Sequence, residues 1–271
     1  MGLLRLAVFL AVVLGLTVGL HLYLWHRLVK GPEWPPRAAR VATFALAALG
    51  ASVPLAFVAG RALPRPAAAP FAWVAFGWMG VLFFLVVLLL PSELVRLAGV
   101  LRRRREDAPA DPARRRFLSR GIAGAVTALG AGLSGVALEA GLRPVAIKRV
   151  AVPVRGLPAR LAGFRVAQLT DVHVGPTIGR GFIEEVVART NALAPDLVAI
   201  TGDLVDGSVP ELAAHVAPLA RLRARHGVFF VTGNHEYYSG AEAWIAHLEG
   251  LGIRVLKNER IIVAHDGAAL D

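Results

Sequence analysis

Three stretches decide how this chain folds: Phe164-Arg165-Val166-Ala167-Gln168-Leu169-Thr170-Asp171-Val172-His173, Leu197-Val198-Ala199-Ile200-Thr201-Gly202-Asp203, and Val228-Phe229-Phe230-Val231-Thr232-Gly233-Asn234-His235-Glu236. Each begins as a short apolar run rich in β-prone residues and ends in a polar cluster. Between them the spacing changes to that of helices. Ile178 to Leu193 places Ile178, Phe182, Val186, Val187 and Leu193 on one face and stops near Pro195. A second helix is predicted through Leu212, Val216, Leu219 and Leu222 to Gly227, and a third over Ala241 to Leu251. Ile253 to Leu256 with Ile261 to Val263 reads as a hairpin. Strands alternating with helices define an α/β domain, expected over residues 163–271. In an open α/β sheet the carboxyl ends of the strands lie along one edge, so the three polar clusters are expected to meet in one crevice.

The residue types in the clusters define a chemistry. Carboxylate, imidazole and amide oxygen together suit divalent Mn, Fe, Zn or Mg, and no cysteine is present to offer a thiolate. Asp203, on a tight turn after Gly202, is placed to bridge two cations, and Gly202 and Gly233 let the backbone turn close to them. Two ions about 3.5–4 Å apart clamp a phosphoryl oxygen, generate hydroxide near neutral pH and stabilise the leaving oxygen. Hydrolysis of a phosphate ester or anhydride is the matching reaction. Asp206 and Glu236 adjoin the candidate ligands and read as supporting or capping groups. Tyr237 and Tyr238 fit either packing or substrate contact. His215, His226, His247 and His265 fall outside the clusters and read as surface or structural residues. Taken singly, each aspartate also fits a turn or a helix cap; the joint occurrence carries the site.

Asp-x-His, Gly-Asp and Gly-Asn-His-Glu, in this order, resemble the calcineurin-like metallophosphoesterases over roughly Phe164 to Asp271. The flanking text is similar to the membrane-attached bacterial branch of that family. The resemblance implies a four-layer αββα sandwich holding two divalent ions. It implies that Asp171 and His173 bind the first metal, Asp203 bridges, Asn234 binds the second, and His235 orients the phosphate and protonates the leaving group. It also implies a further lone His and a Gly-His-x-His segment, which would supply three more ligands. Neither occurs before Asp271, so the domain is expected to be an incomplete, N-terminal portion with weak metal binding.

Outward from this domain the composition changes. The chain of 271 residues is 56% apolar with a mean hydropathy of +0.58, and the apolar residues concentrate in the first half. Four stretches, residues 3–25, 41–60, 71–90 and 121–142, are long enough to cross about 30 Å of hydrocarbon as helices. Pro54 interrupts the second and is expected to kink it. Residues 1–142 are thus expected to form a transmembrane anchor, and residues 143–162, with Pro144, Pro153 and Pro158, a linker with an edge strand.

The net charge of +11 is unevenly placed: residues 1–142 carry 16 Lys and Arg against 6 Asp and Glu, and residues 143–271 carry 14 against 13. Basic residues flanking apolar spans serve topology, so no nucleic-acid partner is expected. Arg27, Lys30, Arg37 and Arg40 fill the first connection and Arg61 and Arg65 the second. Arg96, Arg102 to Arg105, Arg114 to Arg116 and Arg120 fill the third. First and third connections in the cytoplasm put residues after Leu142 on the outer, periplasmic face of a bacterial cytoplasmic membrane. Arg114-Arg115-Arg116-Phe117-Leu118 resembles the core of a twin-arginine export signal, although Ala113 and Ser119 depart from it; an ordinary basic stop beside a helix fits equally. Two functions follow: an enzyme acting on a phosphorylated or lipid-linked substrate in the envelope, or a non-catalytic membrane component with an inactive domain.

Overall fold

The structure, a computed structural model, describes residues 3–103 and 111–271 and divides into two compact units, Met1–Pro144 and Val145–Asp271. Arg104 and Arg105 of the basic third connection lie outside the described residues.

The first unit is helical: α1 (Leu3–Leu24), continued by a π-helical turn over Trp25–Lys30, then α2 (Pro36–Ala62), α3 (Arg65–Arg103) and α4 (Pro112–Gly141). All four helices are long and apolar enough to cross a membrane. α2, α3 and α4 exceed the predicted spans because apolarity locates only the lipid-matched stretch, whereas the hydrogen-bond ladder continues through flanking polar residues. Pro54 lies inside α2, and Pro70 and Pro91 lie inside α3. At the start of α4, Pro112 takes the first helical position, where its missing N–H costs nothing, and the Asp111 carboxylate accepts from Ala113 N at 2.8 Å. Leu24, Trp78, Leu85, Leu89 and Val126 form the internal contacts of this unit. Close approach there depends on small residues: a Cβ on Gly130 would lie 2.8 Å from Leu85 Cδ2.

The second unit is built on a four-stranded parallel sheet in the order β1 (Val166–Leu169), β2 (Leu197–Ile200), β3 (Val228–Phe230) and β4 (Arg254–Val255). Crossovers run through α5 (Arg180–Ala192), α6 (Val209–Val216), the short α7 (Asn234–Ser239) and α8 (Ala241–Gly250). Pro218 stands in a 3-10 turn, Ala217–Arg221, which follows α6 where a longer helix is predicted. Ile183, Val187, Val198, Ile200, Phe230 and Trp244 belong to one continuous core. β2 and β3 are short and internal, which is why their sequences read as apolar runs rather than alternations, whereas β1 and β4 form the two edges of this sheet.

Two expectations are corrected. Residues 143–162 contain no strand among the described residues, only irregular chain and a 3-10 turn, Ala159–Leu161. Prolines at 144, 153 and 158 withhold the N–H groups an edge strand needs. The hairpin also lies elsewhere. Ile253 to Leu256 does not pair with Ile261 to Val263; β4 instead extends the parallel sheet, with Phe229 opposite Arg254 and Phe230 opposite Val255. Leu256 N donates to Phe230 O at 2.9 Å, so the open edge of β3 takes the donors a hairpin would have used. The antiparallel pair is β5 (Val263–His265) with β6 (Ala268–Leu270). Asp266 and Gly267 connect them with φ of 49° and 80°, the left-handed pair that a two-residue hairpin turn requires.

Candidate metal centre

Beyond β1 and β2 the chain keeps parallel pairing while leaving regular strand geometry. Asp171 N donates to Gly202 O at 3.3 Å, His173 N to Asp203 O at 3.0 Å, and Val174 N to Leu204 O at 2.8 Å. Asp206 N returns a bond to Val174 O at 2.9 Å. Within this ladder Asp171, His173 and Asp203 have φ of 53°, 51° and 49°. Three non-glycine residues in the left-handed region, on two neighbouring loops bonded to each other, mark a place where surrounding structure overrides local preference.

Two glycines make the approach possible. Gly202 has φ of 83°, and a Cβ there would run into the backbone of Gly233. A Cβ on Gly233 would in turn overlap the carboxylate and backbone N of Asp203. The loops after β2 and β3 are therefore in backbone contact, and Asp203 Oδ1 accepts from His235 N at 2.9 Å across that contact.

Glu236 locks the arrangement. Its side chain is fully buried, and its carboxylate accepts four backbone N–H groups: Asp203 at 2.9 Å and Gly233 at 2.7 Å on Oε2, Leu204 at 2.7 Å and Val205 at 3.3 Å on Oε1. Bonds of this charge-assisted kind answer the desolvation of a buried carboxylate. The 201–205 and 233–236 loops are thereby held as one piece.

On that platform His173, Asp203 and His235 bring one ligand atom each to within 4.8 Å of one another. Asp206 ties the two imidazoles together: its Oδ1 lies 3.1 Å from His173 Nδ1 and 2.6 Å from His235 Nδ1. An ionised carboxylate only accepts, so both Nδ1 atoms carry hydrogen and each Nε2 is left for a metal or substrate. The bond to Asp206 raises the pKa of His173 above its ordinary value, against partial desolvation, and the charges of Asp206, Asp203 and Asp171 add to the rise. An open cleft of about 430 Å³ adjoins the group, lined by Asp206, Ser208, Glu211, His235 and Tyr238 among others. A larger recess of about 600 Å³, between α5 and the Ala217–Arg221 turn, contains none of these residues; we place the site beside the smaller cleft because His235 and the Asp206 that joins it to His173 line that cleft.

The other expected residues stand as follows. Asp171 is exposed, outside the 4.8 Å group, and accepts from Thr170 Oγ1 at 2.6 Å. Asn234 is exposed at the start of α7. Tyr237 and Tyr238 are exposed, and the Tyr238 ring stands edge-on to His235 with centroids 5.7 Å apart. His226 and His265 hydrogen-bond each other at 2.8 Å beneath Phe164, and His247 packs on Trp244. His215 Nδ1 accepts from Arg180 N at 3.3 Å. The double role of Asp206 and the four-fold acceptance by Glu236 went beyond the reading of the sequence; their adjacency to the motifs was the available signal.

A parallel α/β sheet whose strand ends bring His, Asp and His together beside one cleft is an arrangement that suits metal-dependent hydrolysis. Residues 164–269 match the model of the calcineurin-like phosphoesterase family. Among curated proteins the chain is similar to the zebrafish "transmembrane protein with metallophosphoesterase domain", 32% identical over 250 residues, covering 88% of this chain and 55% of the relative. The bovine protein of the same name is 42% identical over 137 residues, covering 50% of this chain and 31% of the relative. The UDP-2,3-diacylglucosamine pyrophosphatase LpxG of Chlamydia trachomatis is 34% identical over 82 residues, covering 29% of this chain and 24% of that protein. The chain thus spans about half or less of the length of these relatives. No solved structure matches it.

Proposed function

We propose that this chain belongs to a membrane-attached, metal-dependent hydrolase that cleaves a phosphoester or pyrophosphate bond in a lipid-linked or other envelope substrate. The observation that carries the reading is the convergence of His173, Asp203 and His235 beside an open cleft. The donors fit the group the family implies: imidazole and carboxylate suit Mn, Fe, Zn or Mg, and the glycine cradle leaves room where any side chain would collide with Asp203. His173 and Asp203, together with Asp171 and Asn234, are the residues proposed to hold two divalent ions. When bound, such ions supply Lewis-acid activation of water and of the phosphoryl group.

The chain's own groups do the rest. Asp206 fixes both imidazoles by their Nδ1 atoms. In its charged form His235 can hand a proton from Nε2 to the departing oxygen while Asp206 offsets the imidazolium charge. Glu236 keeps Asp203 and His235 in register. The lipid-linked class is supported by the helices suited to a bilayer and by similarity to a protein whose name gives a diacylated nucleotide-sugar as its substrate. The distribution of Lys and Arg supports an orientation with residues after Leu142 on the outer face, which in a bacterial cytoplasmic membrane is the periplasmic one.

The test is hydrolysis of an aryl phosphodiester by the purified full chain in detergent, with and without Mn, beside its Asp203→Ala variant. Activity that requires the ion and is lost in the variant is the expected result. Ion-independent turnover, or equal rates in the two proteins, would refute the reading and favour a non-catalytic membrane component.

A further inference from the structure

We propose that one end of the helical unit is a binding seat for the headgroups of anionic phospholipids, built around the Gly31–Trp34 turn and the first turns of α2 and α4. Independently of the phosphoesterase reading, it requires only that the helices stand in a bilayer.

The turn is fixed from several sides. Arg120 Nε and Nη2 donate to the carbonyl oxygens of Pro32 and Glu33 at 2.9 and 2.7 Å, and the same guanidinium lies 5.6 Å from the centre of the Trp34 ring. Trp34 Nε1 donates to Leu28 O at 2.8 Å, and Pro32 is buried. Arg115 and Arg116 reach the Glu33 carboxylate at 3.7 and 3.6 Å. Nearby, Arg27 and Arg96 share Glu93. The two carboxylates thus each serve two arginines, and Asp111 caps α4.

That leaves a surplus. Arg37, Arg40 and Arg114 are exposed and make no ion pair with a carboxylate among the described residues, whereas Lys30 lies over the Trp25 ring and Arg120 is held by the turn. At the opposite end of the unit the charges are few and engaged: Arg61 lies over the Phe57 ring, and Arg143 pairs with Glu139 at 2.7 Å. Topology selection requires only a number of cations near a span. It does not require them to surround a turn held rigid by backbone bonds, with guanidinium groups suited to two phosphate oxygens at once. Arg115 and Arg116, two residues of the export-like motif, are occupied by Glu33 in this arrangement. A phosphodiester lipid of net negative charge satisfies the remaining donors, and a zwitterionic lipid brings its own cation to the same place.

The experiment is native mass spectrometry of the full chain in detergent with an equimolar mixture of phosphatidylglycerol and phosphatidylcholine. The expected result is preferential retention of phosphatidylglycerol, falling at least about tenfold in the Arg37→Gln/Arg40→Gln/Arg114→Gln variant. The same three positions changed to Lys should keep the part of the preference that charge alone supplies, between the native and the glutamine values, which separates charge from any folding defect. Arg61→Gln/Arg143→Gln, at the other end, should keep it unchanged. Equal retention of the two lipids by the native chain would overturn the proposal. So would a preference that survives the glutamine variant, an equal loss in the control, or displacement of the lipid by millimolar inorganic phosphate.

Discussion

Replacing Glu236 with Gln keeps the side chain's shape and removes one acceptor. Each carboxylate oxygen accepts two N–H groups, Asp203 and Gly233 on one, Leu204 and Val205 on the other. Whichever oxygen becomes NH₂, two backbone donors, buried on one side and part-buried on the other, face a donor. Leaving a buried N–H without an acceptor costs about 1–3 kcal/mol. The pair is therefore expected to weaken local closure by about 3 kcal/mol, allowing for relaxation of one bond. At 1.4 kcal/mol per factor of ten, opening becomes about a hundredfold more frequent. Hydrogen–deuterium exchange of the full chain in detergent reads this directly at the amides of residues 203–205 and 233, because exchange through local opening follows the free energy of that opening. Glu236→Ala is expected to accelerate the same amides further, since all four lose their acceptor. Mn affinity should fall in parallel, as Asp203 and His235 lose their common support. Exchange within about threefold of the native rate at all four amides would refute the claim that Glu236 holds the two loops together.

Gly233→Ala is expected to abolish Mn binding with little change in the sheet, because a Cβ there can be accommodated only by displacing Asp203; isothermal titration with Mn checks it. In metal-free Asp206→Asn, the pKa of His173 should drop back toward its ordinary value, since the bond to Asp206 is the leading cause of its rise; an NMR titration of the imidazole measures this, and an unchanged value would dismiss Asp206 as the cause. Trp244→Phe should destabilise the second unit by about 1–3 kcal/mol, because Gly207 O, which accepts from the indole at 2.9 Å, is left without that donor; chemical denaturation of the full chain, followed by exchange at core amides, tests it. Arg225 lowers the pKa of Asp266 through a hydrogen bond at 2.7 Å. A depressed carboxyl pKa adds stability above its unfolded value of about 4, and that stability disappears as pH falls through the folded value. Protection of the β5–β6 hairpin should therefore weaken on acidification below about pH 4, and Arg225→Gln should remove most of that dependence.

What the sequence disclosed and what it concealed divide along the type of partner each residue has. β2 was legible to the residue, Leu197 to Ile200, because an internal parallel strand carries its signal in its own side chains. The convergence of His173, Asp203 and His235, as distinct from their roles, was legible because polar clusters follow three successive parallel strands. The hairpin was misplaced because Arg254 and Val255 pair with β3, an interaction decided by a free edge far away in the chain, whereas the local Asp266-Gly267 signal named the true turn. The edge strand failed because Pro144, Pro153 and Pro158 cannot donate the N–H groups that strand pairing needs. Glu236 was the least legible. Its partners are backbone N–H groups, which nearly every residue possesses, so no side-chain pattern announces that four of them converge on one carboxylate. Arg120, bonded to the carbonyls of Pro32 and Glu33, is concealed for the same reason. In both units, then, the side chains that announce themselves are those that meet a ligand or a core, and the ones that set their geometry work through the backbone and become visible only in three dimensions.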